Sequence, residues 1–158
     1  MDTSAYLNQH KDLAHLIRMD ADCLEYYRDS LFSLPSSSAP RSPGHASPCE
    51  DALYTGTVAE IDRRQAELMR KKELMGRLEK QIMDALDQMC LMNDRNAKDY
   101  VLFLRHRYLR HEKWEDVAAA VHVSRATVYR WGKSALALFP MPANPIDIRK
   151  ELSALKAA

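Results

Sequence analysis

The longest regular pattern in the chain is a column of apolar residues spaced seven apart: Ile61, Leu68, Met75, Ile82 and Met89. Each returns to the same side of an α-helix after two turns, so the spacing predicts one long helix over about 57–92 with a face committed to a partner. Leu78, Ala85, Leu86 and Met92 widen the stripe towards its C-terminal end. At about 1.5 Å per residue such a helix spans about 50 Å. A shorter stripe precedes it. Ile17, Leu24 and Leu31 repeat every seven residues, with Leu13 and Tyr27 on the same side, and predict a helix over 5–33. Between the two, "LPSSSAPRSPGHASPCED" sets prolines among serines and reads as a loop, 34–55, long enough to reverse the chain. The expected product is an antiparallel, coiled-coil-like helical hairpin over residues 1–93. Arg64 and Lys71 fall where a second apolar column would run. A second copy of the chain is therefore expected to finish covering the hairpin, as a homo-oligomer, most simply a dimer.

The pattern then changes. "NDRNAK" breaks the long helix, with Asn93, Asp94 and Asn96 offering oxygens to cap the next one. Three shorter helices are predicted at about 97–110, 113–121 and 125–138, with Tyr100, Phe103 and Leu104 in their core. Residues 94–139 form the second module. The tail, 140–158, begins with the irregular "PMPANP" and holds a short amphipathic helix at 146–157. With four glycines and few β-branched runs, the fold class expected is all-α.

Composition alters this picture through the placement of charge. The net charge of +1 hides an asymmetry: residues 1–93 carry 11 Lys/Arg against 15 Asp/Glu, and residues 94–139 carry nine against five. A basic module on an acidic helical one suggests that only the former meets a polyanion. No apolar run approaches the roughly 20 residues that span a bilayer, and the N-terminus lacks a signal-peptide pattern, so no membrane association is expected. Cys23, Cys49 and Cys90 are scattered and odd in number, which fits reduced thiols in a cytoplasmic protein.

The basic module contains "VAAAVHVSRATVYRW", Val117 to Trp131. Two helices crossing steeply through a short turn need small residues at the close approach and a few apolar ones as a clamp. Val117, Val121 and Val123 supply the clamp from the first helix and turn, Val128 and Trp131 from the second, and Ala118 is the small residue. Ser124 can cap the second helix, worth about 1 kcal/mol, and stands among the candidate DNA-contacting residues. Arg125, Ala126, Thr127, Tyr129, Arg130 and Lys133 are left facing outward, as a recognition helix presents its face to the major groove of double-stranded DNA. Arg125 and Arg130 suit bidentate bonds to guanine, while Ala126 and Thr127 permit close approach. Tyr129, Lys133, Arg105, Arg107, Arg110 and Lys113 are better placed for the phosphate backbone. His122 occupies the turn position where glycine is common, because a positive φ costs glycine little.

"YVLFLRHRYLRHEKWEDVAAAVHVSRATVYRWGKSALALF" resembles region 4 of sigma-70 factors, with a helix ending in an "LRxRYL" pattern, then "WEDVA", then a Ser-led recognition helix. More narrowly, the order of features resembles phage and prophage sigma-70 region-4-like regulators of the RinA and ArpU type. Those features are Tyr6–Gln9, the Ser/Pro-rich stretch Ser36–Pro48, Val58–Ile61 and Ile82–Met89, followed by the same C-terminal module, so the likeness covers about residues 6–139. The resemblance implies promoter contact through Arg125, Ala126, Tyr129, Arg130 and Lys133, and activation of late promoters in a bacterial host. Region 4 also touches RNA polymerase, which makes the polymerase a second candidate partner. Nothing here resembles region 2, which opens promoters, so the chain is not expected to initiate transcription alone.

Other chemistry is poorly supported. His106 and His111 lack the paired spacing of a zinc site, and His10 and His15 stand five apart, a poor spacing for shared ligation. "RRQAELMRKKELMGRLEKQ" is a solvated charged face, and no phosphate-binding glycine loop or nucleophile elbow occurs. Neither enzyme activity nor a metal or cofactor is expected. Two rival readings share the same features: a small terminase subunit recognising packaging DNA, and an adaptor that binds polymerase or sigma factor without reading sequence.

Overall fold

The computed structural model describes residues 1–32 and 48–157. Among them the only regular structure is helical: α1 (Thr3–Phe32), α2 (Pro48–Cys90), α3 (Ala97–Leu104), α4 (Trp114–Ala120), α5 (Arg125–Leu138) and α6 (Ile148–Ala157). The chain is all-α over these residues. No helix among them is long and apolar enough to cross a membrane.

Two boundaries differ most from those read in the sequence. The second helix begins at Pro48, so residues 48–55, expected to belong to the loop, are helical. Proline's fixed φ and missing N–H suit the first turn of a helix, so Pro48 opens α2 rather than interrupting it. The rest of the Ser/Pro-rich stretch lies outside the described residues. The helix expected over 97–110 is α-helical only to Leu104. It then widens into a π-helical turn, Arg105–Leu109, with Arg110 N–H donating five residues back to the Arg105 carbonyl at 3.0 Å.

The helices form two compact units, Leu16–Lys72, and Met1–His15 together with Glu73–Ala158. In the first, Leu24, Ile61 and Leu68 are buried, with Ile17, Ala21, Tyr27 and Leu31 packed around them. The two breaks in the apolar column are filled from within the unit. Arg64 lies 4.6 Å over the Tyr27 ring and donates to Tyr27 Oη and Cys23 Sγ, while Lys71 pairs with Asp20. Long basic side chains thus lay their stems along the seam and meet polar partners at its edge. Residue numbers rise on one helix as they fall on the other, so the helices run antiparallel here. On the exposed side, hydrogen bonds from Arg63 and then Arg64 hold the Glu60 carboxyl down at about 2.

In the second unit, Tyr6, Leu7 and Leu13 of α1 and Leu78, Ile82, Leu86 and Met89 of α2 are fully buried. Met92, expected to extend this stripe, lies beyond the end of α2 and is exposed. The tail is bound by two glutamines. Gln81 donates to the Asn144 carbonyl and accepts from Ile146 N–H, at 2.8 and 3.0 Å. Gln9 donates to the Ile146 carbonyl and accepts from Ile148 N–H, at 3.0 and 2.8 Å. Each side-chain amide therefore satisfies one donor and one acceptor that lack an intrahelical partner, in the irregular segment and at the first residue of α6. Tyr6 Oη donates to Gln81 Oε1 at 2.7 Å, and its burial pushes the phenol up to about 12.

Candidate nucleic-acid interface

α4 and α5 are joined by residues 121–124, and the sequence explains how this turn is made. Val123 N–H donates to the Ala118 carbonyl at 3.1 Å and His122 N–H to Ala119 at 3.3 Å. These bonds close a Schellman motif, whose C′ residue must be left-handed. That residue is His122, with φ 56°. Ser124 is extended (φ −67°, ψ 151°), and its Oγ accepts from Thr127 N–H at 3.2 Å, which makes it the N-cap of α5. α5 spans 125–138, as the pattern predicts.

The clamp is asymmetric. Val117 and Val128 are fully buried, whereas Val121, Val123 and Trp131 are half-buried. The inner face of α5 is Val128, Gly132, Ala135 and, just beyond its end, Phe139. Gly132 is a core residue that pattern reading passes over. A Cβ there would stand 3.1 Å from Trp114 Cη2 and 3.3 Å from Phe103 Cζ, so the lack of a side chain lets α5 rest on two aromatic rings. Trp114 stacks on Phe103 at 5.6 Å and on Tyr129 at 4.8 Å, and Trp131 meets Tyr100 edge-on at 6.0 Å.

Of the residues proposed from sequence to meet DNA, Ser124, Arg125, Ala126, Tyr129, Arg130 and Lys133 are exposed on α5 or at its cap, and Thr127 is half-buried. Arg130 and Lys133 make no ion pair or hydrogen bond with any described residue. Arg125 is paired with Glu115 of α4 at 2.9 Å, between two well-exposed side chains. Such a pair is worth at most about 1 kcal/mol and releases readily. Tyr129 keeps more than half its surface open while one ring face rests on Trp114.

The preceding segment joins this surface through the same tryptophan. Arg107 lies 4.9 Å over the Trp114 ring and donates to the Glu112 carbonyl at 2.7 Å. One indole thus carries Tyr129 of α5 and Arg107 of the π-turn. Arg110 is exposed at 4.0 Å from Glu112, and Lys113 sits at the N-cap position of α4 without a side-chain capping bond. Arg105 stands apart, half-buried, with a guanidinium nitrogen 3.5 Å from Asp87 of α2 and a buried Nε that meets no partner among the described residues. To reach a phosphate it must give up that pairing.

The capping expected at "NDRNAK" takes a different form. Asn96 is the N-cap of α3 but its side chain makes no capping bond; Asp94 Oδ1 accepts from Asn96 N–H instead, at 2.8 Å. His106 pairs with Glu112 at 2.8 Å and His111 with His10 at 3.1 Å, both unforeseen in the sequence. No protein-family model, no curated protein and no solved structure matches the chain.

Proposed function

We propose that the chain is a sequence-specific DNA-binding transcription regulator of phage or mobile-element origin, with α4 and α5 serving as a helix-turn-helix of the sigma-70 region-4 kind. The observation that carries this reading is the division of α5. One face is locked onto Phe103 and Trp114, while the other offers Arg125, Ala126, Tyr129, Arg130 and Lys133 to solvent. A recognition helix needs this combination, because the groove accepts a rigid helix whose N-terminal turns carry short residues beside long donors.

On this reading Arg130 and the releasable Arg125 read base edges, and Ala126 lets the helix approach. Tyr129, Lys133, Arg107, Arg110 and Lys113 bind phosphates and set the register. A two-fold dimer of the regulator would place its half-sites about one helical turn apart or a multiple of it. On a site selected by the wild-type protein, Arg130→Ala is expected to cost about 1–3 kcal/mol and to relax preference at one base position. Lys133→Ala should weaken all sequences alike and lower the salt slope by about one. Equal losses on selected and scrambled DNA for Arg130→Ala would remove that residue from base reading.

A further inference from the structure

A small cleft of about 30 Å³ opens beside His111, lined by Asn8, Lys11, Arg107, Tyr108 and His111. It contains no carboxylate. Asn8 uses one amide proton on Ser4 Oγ, Arg107 spends a single N–H on the Glu112 carbonyl, and Lys11 is exposed and engaged with no described residue. A wall made of unspent donors seeks an acceptor.

His111 adds a second, independent observation. It is held at φ 59° just past the π-turn, and its Nε2 lies 3.1 Å from His10 Nδ1. His10, itself buried, has Nε2 2.9 Å from Glu79 Oε1. A carboxylate only accepts, so that Nε2 carries the proton, and in neutral His10 the Nδ1 accepts from His111 Nε2–H. His111 Nδ1 is then a bare lone pair, and it is buried with no hydrogen-bonding partner among the described residues. Adding one proton to it creates a new N–H donor without breaking either bond behind it. Burial, then the neighbouring His10, Lys11 and Arg107, lower the pKa of His111. The charged and titratable groups around it are His10 and Lys11 of α1, Glu79 of α2, Arg107 and Tyr108 of the π-turn, and the adjacent Glu112.

We propose that this cleft is a phosphate-oxygen site, bound by Lys11, Arg107, Asn8 and protonated His111, and that its ligand is a backbone phosphodiester of the DNA. At about 30 Å³ the cleft admits one or two oxygen atoms, about the space of a water or two, so a phosphate group enters by an oxygen and not whole. A diester can insert one oxygen while its sugars remain outside. The site extends the DNA footprint beyond α3–α5 to the first helix. It rests on the DNA-binding reading for the source of the phosphate.

The test measures DNA affinity of the full chain against salt and pH, beside a titration with inorganic phosphate followed on the His111 ring resonances. For Lys11→Ala the salt slope should fall by about one, the loss of one phosphate contact. Lys72→Ala, in the other unit, should leave it unchanged. Wild-type affinity should rise as pH falls from 8 to 6, and His111→Asn, which keeps a residue tolerant of positive φ, should remove most of that rise. A reduced slope with no response to free phosphate supports the site as specific for the DNA backbone. A phosphate response abolished by Lys11→Ala, with an unchanged slope, would keep the anion site and overturn its DNA source. An unchanged slope together with no phosphate response would overturn the proposal. If the wild-type protein binds no DNA, the regulator reading falls, and the phosphate titration alone decides whether the anion site stands.

Discussion

At the scale of single residues, the two left-handed histidines show how a position can be fixed by backbone rather than by side chain. His122 is exposed, so its side chain contributes little packing, yet it occupies a conformation that costs a non-glycine residue about 1–2 kcal/mol. Glycine would remove that cost and add about 0.5–1 kcal/mol of unfolded-state entropy. His122→Gly is thus expected to fall between neutral and about 1.5 kcal/mol stabilising, by difference of those two terms. His122→Val should destabilise relative to histidine, because a side chain branched at Cβ is tolerated at positive φ far less well than histidine. Urea denaturation midpoints decide; a Val variant as stable as wild type would contradict the Schellman turn. This residue is legible in the sequence, as are Ser124, Val117 and Val128, because capping and clamp rules act over three or four residues. His111 is not. Its partner His10 lies 101 residues away, and no local pattern announces such a pairing.

Individual elements are legible where periodicity is strong. α5 falls where the pattern places it, and the buried columns of α1 and α2 contain most of the residues read from heptad spacing. The π-turn is hidden, since "RHRYL" continues an α-helical pattern while its hydrogen bond reaches five residues back, from Arg110 to Arg105. The tail is unreadable for a different reason. Its order comes from Gln9 and Gln81, side chains that look like ordinary polar positions on long helices. Gln9 is buried and serves both the Ile146 carbonyl and the Ile148 N–H. Gln9→Met keeps the volume and leaves both groups unpaired, so it should cost about 1–3 kcal/mol. Hydrogen exchange at the Ile148 amide reports the same event locally. Exchange as slow as in the wild type would show that the tail is held by something else.

For the whole molecule, the sequence separates an acidic hairpin from a basic module, and that partition of charge stands. The packing does not follow it. Met1–His15 and Glu73–Cys90 belong to the same compact unit as α3–α6, because Tyr6 meets the Phe139 ring and Gln9 and Gln81 bind the backbone after α5. Long-range packing of this kind depends on which side chains happen to meet, and heptad spacing is silent about it. The functional consequence is that the basic surface around α5 is mounted on both ends of the described chain, with Trp114 joining the π-turn to α5. Whether this surface reads sequence is decided by selecting bound duplexes from a random DNA pool with the full chain. Affinity for the selected and scrambled sites is then compared at one near-physiological salt concentration. A base-reading surface predicts a preference of at least about 10³-fold, the lower range for specific DNA binders. Affinities for the two sites equal within about threefold, far below that range, would contradict it.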